Sequence, residues 1–346
     1  MVVDYVPGSS VSFVKNPNYW MKDPVHPENT LPYADGANML VIPDASTRQA
    51  ALRTGKIETL GGLNWEDRDS LEKTNPELKR GVTVKGGSTI GMRTDRSDLP
   101  FQYEQVRRAL AMSIDRQAIV RDLYGGNAEV FAYPILPTKE FKDMFTPLDE
   151  LPESIQELYE YNPEKAKQLL AEAGYPNGFK TPLLCSSTQQ DMASILKAYW
   201  AKIGVDVEIQ VRESGVLRGL RYTHGGMLFG GYPADDPAVL FPFIPGAPGN
   251  SSLIDDPYLN DIYHSKLARY GYLEWDKLAQ VLKEEVTPYV LEKCWYIDLP
   301  AVNQYTFWQP WLNGYRGEAQ VGMRNINTWT MYVWLDQELK KEMTGR

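Results

Sequence analysis

Apolar and polar residues in the first quarter of the chain form short runs that predict strands and helices in turn. Ser46 is placed to cap a helix whose apolar face includes Leu52, and Gly55 is placed to end it. A second helix is predicted over residues 65–74. Strands are predicted at residues 11–15, 38–43, 57–60, 81–85 and 89–93. Because strands and helices alternate, this part of the chain is predicted to form an α/β lobe.

A polar stretch at residues 94–100 ends in proline and shows no periodicity, so it predicts a linker between two lobes. The helix after it carries Val106 and Leu110 on an apolar face. Arg107 and Arg108 are expected on the opposite, polar face. This helix is taken as the start of the second lobe.

The second lobe is predicted from a βαβ pattern and the elements after it. The pattern gives strands at residues 181–186, 205–211 and 226–231, and helices at 189–202, 257–269 and 273–285. The tail at 322–335 alternates apolar and polar residues and is expected to return to the first lobe. The predicted division is lobe I at residues 1–95 and 316–346, and lobe II at residues 96–315.

Composition excludes some classes of partner. The 346 residues carry a net charge of −9, which argues against nucleic acid, and no apolar run is long enough for a transmembrane helix. No secretion signal is recognisable at the start of the chain. Cys185 and Cys294 are too few for a disulfide framework or a zinc site, and we expect them to be unpaired. Tyr19 and Trp20 follow a tight Asn-Pro turn and are predicted to be buried structural residues.

Catalytic motifs are not recognisable in the sequence, so no catalytic residue and no metal or other cofactor is predicted. The three histidines lie far apart. The pair Asp255–Asp256 precedes a proline and is predicted to cap the next helix. The pair Asp235–Asp236 also precedes a proline, but it follows an aromatic, glycine-opened loop. Capping and solute contact are both open for that pair.

Several segments, in order along nearly the whole chain, resemble the peptide-and-nickel-type (family 5) solute-binding proteins of ABC transporters. They are Lys-Asn-Pro-Asn-Tyr-Trp at 15–20, Leu-Pro-Tyr-Ala-Asp at 31–35, the strand and helix at 42–58, Val-Arg-Arg-Ala-Leu at 106–110, Ser-Ile-Asp-Arg at 113–116, and the helix at 162–175. The resemblance implies an α/β, two-lobed Venus-flytrap architecture of the type II periplasmic-binding-protein class.

The resemblance also implies a place in the cell and partners. Members act outside the cytoplasm, in the periplasm or at the cell surface. They deliver a peptide or small-molecule ligand to ABC permease subunits, and a monomer is expected. Members of the family are longer than this chain, so the first lobe is expected to be incomplete. The secretion signal and the membrane anchor are expected to lie outside this chain.

The candidate ligand-binding residues centre on the loop at 229–237, where Gly230 and Gly231 let the backbone approach a solute. The candidates are Phe229, Tyr232, Asp235, Asp236, Arg218, Trp295 and Trp308. In peptide-binding members this loop carries an aspartate that pairs with the amino terminus of the peptide. Pro233 aligns with that position here and Asp235 is the nearest carboxylate. The Gly230 position is often Trp in the family, which enlarges the pocket here.

The sequence therefore predicts a non-enzymatic receptor that binds oligopeptides or similar organic solutes. One alternative is a binder of a non-peptide solute such as an oligosaccharide or a metal chelate. A hydrolase with a glycan or peptide cleft is a second alternative, although no separated carboxylate pair stands out. A chaperone-like scaffold without saturable binding of small solutes is a third.

Overall fold

The computed structural model describes residues 1–230, 243–247, 249–270, 273–317 and 328–345, with only the backbone described for residues 140 and 328. The strands are β1 (Val2–Val6), β2 (Ser10–Val14), β3 (Gly36–Leu40), β4 (Thr59–Leu63), β5 (Lys79–Lys85), β6 (Thr89–Met92), β7 (Ala128–Glu129), β8 (Lys180–Cys185), β9 (Asp206–Val211), β10 (Met227–Phe229), β11 (Tyr296–Asp298), β12 (Ala301–Trp308), β13 (Leu312–Asn313) and β14 (Trp334–Leu335).

The α-helices are α1 (Ala45–Arg53), α2 (Trp65–Thr74), α3 (Glu104–Met112), α4 (Arg116–Asp122), α5 (Glu153–Gln156), α6 (Pro163–Glu172), α7 (Gln190–Ala201), α8 (Ser214–Leu220), α9 (Pro257–Ile262), α10 (Ala268–Tyr270), α11 (Trp275–Val281), α12 (Thr287–Lys293) and α13 (Gln337–Thr344). Short π-helical segments connect α9 to α10 and α11 to α12. Each predicted helix of the first quarter and of the βαβ pattern is present.

Two compact units make up the chain. Unit 1 comprises Met1–Thr83 and Asn303–Arg346, and unit 2 comprises Val84–Val302. The chain passes from one unit to the other within β5 and again within β12. These boundaries fall about a dozen residues before those predicted from the sequence, and the assignment of lobes stays a prediction.

Unit 1 contains two larger sheets. The antiparallel sheet β1-β2-β3 is registered by pairs such as Val11↔Met39, and the sheet β4-β12-β5 lies beside helices α1 and α2. Leu52 of α1, Leu71 of α2 and Phe307 of β12 form its core. In the described part of the tail, β14 pairs with β13.

Unit 2 is built on a five-stranded sheet in the order β11-β6-β10-β8-β9. The strands β10, β8 and β9 run parallel, and β6 runs antiparallel to both β10 and β11. The two parallel pairings include the predicted βαβ unit, with α7 as its crossover helix. Trp200 of α7 is fully buried and its indole N–H donates to the Leu110 carbonyl oxygen at 3.0 Å, which fixes α7 against α3.

Helix caps follow the sequence in most places. Asp115, Asn162 and Asp256 each accept a hydrogen bond from the backbone N–H three residues ahead, so the predicted cap of the pair Asp255–Asp256 is confirmed. The predicted cap of α1 is wrong. The helix begins at Ala45, so Asp44 rather than Ser46 takes the capping position and accepts from the Thr47 N–H at 2.7 Å.

Arg107 does not lie on a polar face of α3, as the helical pattern predicted, because only 4% of it is exposed. Its guanidinium donates to the carbonyl oxygens of Phe101, Gln102 and Lys293 at 2.8–3.1 Å. These backbone carbonyl oxygens thus compensate the loss of hydration that burial of the charged guanidinium costs. The prediction failed because these acceptors come from segments that are distant in sequence.

Trp20 is 81% exposed, so the prediction that it is a buried core residue is wrong. The turn at Asn16, where the side-chain oxygen accepts from the Asn18 N–H, does orient one ring inward. That ring belongs to Tyr19, which is half-buried and whose hydroxyl lies 3.4 Å from the Met331 sulfur. Cys185 and Cys294 are both free and buried, as predicted.

Candidate functional site

The carboxyl ends of three parallel strands meet at one edge of the unit 2 sheet. Strand β8 pairs in parallel with β9, from Lys180↔Asp206 to Cys185↔Val211, and with β10 on its other side. The three strands therefore end together. In open α/β sheets ligands bind outside the carboxyl ends of the strands, which makes this edge the candidate site.

Polar residues follow β8 and β9 at this edge. After β8, Ser187 and Thr188 are exposed. The Gln189 side-chain oxygen accepts from the Ser186 N–H at 2.9 Å, which closes this turn. After β9, Arg212 is exposed, as is the residue that follows it. The edge therefore offers hydroxyl, amide and guanidinium groups to solvent.

Gly230 follows β10 and is bonded twice to Thr89. The Gly230 N–H donates to the Thr89 carbonyl oxygen at 3.0 Å, and the Thr89 hydroxyl donates to the Gly230 carbonyl oxygen at 2.9 Å. Among the described residues, a Cβ added at Gly230 would meet the Leu228 side chain alone, at 3.7 Å and beyond. The backbone is thus fixed at the start of the predicted loop.

The predicted site residues fall in three groups. Tyr232, Asp235 and Asp236 lie outside the described residues. Phe229 ends β10 and is 3% exposed, whereas Arg218 lies on α8 and is exposed. The first group therefore stays a prediction, and the position of Phe229 puts the start of the loop at the candidate edge.

The two tryptophans among the predicted ligand-binding residues, Trp295 and Trp308, are buried within different units. Trp295 packs in unit 2 against Phe243 and Tyr289, with ring centroids 6.2 and 5.9 Å apart. Trp308 packs in unit 1 against Tyr315, with centroids 5.0 Å apart. Their burial favours a packing role, and their contact with solute stays a prediction.

A charged pair of a buried arginine, Arg93, and an exposed aspartate, Asp95, lies in unit 2 at the end of β6 opposite Thr89, and the sequence pattern missed it. The Arg93 guanidinium donates two hydrogen bonds to the Asp95 carboxylate, with N–O distances of 2.7 and 2.8 Å. This hydrogen bonding lowers the pKa of Asp95. Arg93 also donates to the carbonyl oxygen of His224 at 2.8 Å. The available signal was the spacing Arg-x-Asp at residues 93–95, where the predicted strand at 89–93 meets the predicted linker at 94–100.

His224 lies beside this pair and is 2% exposed. One ring nitrogen, Nε2, lies 2.7 Å from the Ser251 carbonyl oxygen, so that nitrogen carries the proton that is donated. Burial lowers the pKa of His224, and the nearby Arg93 charge acts in the same direction. The His224 carbonyl oxygen therefore accepts from Arg93, and the Ser251 carbonyl oxygen accepts from the His224 ring.

A groove of about 810 Å³ lies in unit 1. It is lined by Asp23, His26, Tyr33, Arg316, Trp329 and Trp334, among others. Asp23 accepts from the Tyr33 hydroxyl at 2.5 Å and from the backbone N–H groups of Val25 and His26, and these hydrogen bonds lower its pKa. Its carboxylate is thus engaged within the wall of the groove.

The described parts of the chain contain no cluster of three or more histidine, cysteine, aspartate or glutamate residues able to hold a metal ion. None of the helices in the same residues combines the length and the apolar character that crossing a bilayer requires.

The family model for bacterial extracellular solute-binding proteins, family 5 (middle region), matches residues 1–251. The chain belongs to this family, which is a substrate-binding, non-enzymatic family of proteins that act outside the cytoplasm. The resemblance predicted from the sequence motifs is therefore confirmed.

Individual relatives agree with this assignment. The chain is 32% identical over 288 residues to heme-binding protein A of Haemophilus influenzae, covering 80% of this chain and 46% of that protein. It is 30% identical over 189 residues to the glutathione-binding protein GsiB of Escherichia coli, covering 54% of this chain and 34% of that protein. The chain thus spans less than half the length of these curated relatives.

Among solved structures, the chain is similar to the periplasmic binding protein DppA of Helicobacter pylori in complex with the peptide STSA. The TM-score is 0.72 at 26% identity, over 97% of this chain and 62% of that chain. The predicted fold class, α/β of the type II periplasmic-binding-protein type, is confirmed. Its incomplete first lobe stays a prediction.

Proposed function

We propose that the protein is the solute-binding receptor of an ABC importer and that it binds oligopeptides or similar organic solutes. Membership of the extracellular solute-binding family supports the class of function. The observation that carries the proposal is the polar edge of the unit 2 sheet, where the ends of three parallel strands bring exposed hydroxyl and guanidinium groups together.

The solute class is proposed from the loop at 229–237 and from the relatives. Asp235 offers a carboxylate for a cationic group such as an amino terminus, with Asp236 beside it, and Tyr232 offers a ring and a hydroxyl. Peptide, glutathione and haem are named as ligands of similar proteins. Among these, a short peptide suits a loop that carries a carboxylate and an aromatic ring.

The remaining parts of the proposal concern partners and organisation. The receptor would work as a monomer, membrane-anchored outside the cytoplasm, and would be recognised by ABC permease subunits. The lobes would comprise residues 1–95 with 316–346, and residues 96–315.

The test is a thermal-shift and calorimetric titration of the protein with a tripeptide, glutathione and haemin. A ligand that binds only the folded state adds RT ln(1 + [L]/Kd) to the free energy of unfolding, which is about 2.7 kcal/mol at 100 times Kd. We expect saturable binding of the tripeptide. Asp235→Asn should weaken a peptide with a free amino terminus by about 2–5 kcal/mol if the charged pair is buried, and leave an N-acetylated peptide unaffected.

Asp236→Asn, at the neighbouring candidate carboxylate, tells which of the two carboxylates carries the effect. Asp235→Asn could instead lower the melting temperature while peptide affinity stays the same. In that case the carboxylate is a helix cap, and the site lies elsewhere. Absence of saturable binding for all three ligands would contradict the proposed function. Turnover of peptide or glycoside substrates, followed by mass spectrometry, would favour the hydrolase alternative.

A further inference from the structure

A small cavity of about 10 Å³ lies inside unit 2, away from the polar edge residues described above. Its walls include Arg116, Tyr133, Tyr159, Cys294, Tyr296 and Asp298. A volume of this order admits the centre of one water-sized molecule. The cavity is therefore too small for any organic solute, and its lining combines polar side chains with apolar ones such as Leu158 and Val290.

Arg116 and Asp298 form the charged part of the lining. The Arg116 Nη1 group donates to the carbonyl oxygens of Ala111 and Leu158, and Nε donates to the Asp298 carbonyl oxygen. The Arg116 Nη2 group lies 4.0 Å from Asp298 Oδ1, which is too far for a good hydrogen bond. Arg116 therefore keeps donor capacity at Nη2 on the Asp298 side.

Asp298 is only partly satisfied by the protein. Its Oδ1 accepts from the Tyr159 hydroxyl at 2.8 Å. Its Oδ2 is buried and has no hydrogen-bond partner within the described residues, and the same holds for the Tyr133 hydroxyl. Asp298 is 6% exposed and Tyr133 is 6% exposed. Buried polar atoms in folded proteins are nearly always hydrogen-bonded, so each of these two atoms needs a partner. Because both residues line the same cavity, one molecule bound there can serve both.

We propose that this cavity binds one internal water molecule, which accepts from the Tyr133 hydroxyl and donates to Asp298 Oδ2. The Arg116 Nη2 group is placed to supply a further donor, which gives the water the three partners that buried waters typically have. A metal cation is disfavoured by the adjacent guanidinium, and an anion by the carboxylate. A water molecule fits the cavity because it can accept a hydrogen bond from the Tyr133 hydroxyl and donate one to Asp298 Oδ2.

The position of Asp298 gives this water a structural consequence. Asp298 ends β11, where it pairs with Thr89 of β6 in the antiparallel register. Thr89 in turn holds Gly230 at the start of the candidate loop. The water would complete the hydrogen bonding of Asp298 and so support the strand end next to Thr89.

A high-resolution crystal structure of the protein tests the site directly. We expect a density peak within hydrogen-bond distance of both the Tyr133 hydroxyl and Asp298 Oδ2. A dry cavity would overturn the proposal.

A substitution gives an independent test through the sign of its effect. With water bound, Tyr133→Phe removes one of its hydrogen bonds and should lower the melting temperature by about 2–4 °C. An unpartnered hydroxyl gives the opposite expectation, because its removal leaves the melting temperature unchanged or raises it. The latter outcome would also overturn the proposal. Tyr159→Phe is one control, and it gives the change in melting temperature when a direct hydrogen bond to Asp298 is lost. Tyr103→Phe, at an exposed ring, is the other, and it gives the effect of a Tyr-to-Phe substitution on the surface.

Discussion

Thr89 and Gly230 hold each other by two hydrogen bonds at the point where β10 ends. The Thr89 side chain is almost completely buried, at 1% exposure, so water does not compete for its hydroxyl. The backbone that leaves the sheet at Gly230 therefore starts from a fixed position. If the loop after Gly230 binds solute, Thr89 is a positioning residue for that loop.

Thr89→Val tests this role, because it keeps the shape of the side chain and removes only the hydroxyl. We expect the Kd for the bound solute to rise about 5- to 10-fold, as the loss of a hydrogen bond of about 1 kcal/mol implies. Calorimetric titration measures the change. Thr181→Val is the matched control, since Thr181 is a buried threonine near the amino end of β8 in the same sheet. Equal affinities for the two variants would argue against a positioning role.

Gly87 is required by its packing. A Cβ at this position would lie 1.9 Å from the Leu299 carbonyl oxygen. Because the obstacle is backbone rather than a flexible side chain, Gly87→Ala should force the strands apart and lower the free energy of unfolding by about 1–3 kcal/mol. Gly225→Ala is the control, since no atom of the described residues lies within 4 Å of a Cβ there. Urea denaturation of both variants checks the difference, and equal midpoints would contradict it.

Two tryptophans should differ strongly in their contribution to stability. Trp200 is fully buried in unit 2, so Trp200→Ala should cost about 3–5 kcal/mol. Trp20 is 81% exposed, so Trp20→Ala should change the free energy of unfolding by about 0.5 kcal/mol or less. Chemical denaturation gives both values. A large loss for Trp20→Ala would show that its ring is covered in solution.

Local patterns in the sequence predicted much of the fold. The helix at 65–74 has the predicted bounds, because Asn64 and Asp67 form a capping box that is visible in the sequence. The βαβ unit around α7 was predicted for a similar reason, since its strands and helix each carry a clear period. Such features depend on residues that are close together in the chain.

Features that depend on distant segments were not predicted. Arg107 appeared to be a surface residue because its carbonyl acceptors at Phe101 and Lys293 come together only in the folded unit. Asn250, Ser251 and Ser252 are similarly almost fully buried, although a polar run in an irregular segment suggests a surface loop. For the candidate site, the sequence identified the loop by composition but not its attachment to Thr89.

His224 should make the stability of unit 2 depend on pH. Burial lowers its pKa in the folded protein, whereas in the unfolded chain the imidazole has its ordinary pKa near 6.5. The unfolded state therefore binds the proton more readily. The stabilisation that results is fully present above pH ~6.5 and is lost as the pH falls towards the lower folded pKa.

His224→Gln removes this titration while it keeps a side-chain N–H near the Ser251 carbonyl oxygen. Between pH 7.5 and 5.5, the free energy of unfolding, measured by urea denaturation at each pH, should therefore fall more steeply for the wild type than for His224→Gln. The two slopes should differ by at most about 1.4 kcal/mol per pH unit for one proton. His264→Gln, at an exposed position, should keep the slope of the wild type. Parallel slopes for the wild type and His224→Gln would mean that the buried imidazole does not titrate differently in the folded and unfolded states. Because the comparison is between slopes, the carboxylates that titrate in both proteins cancel.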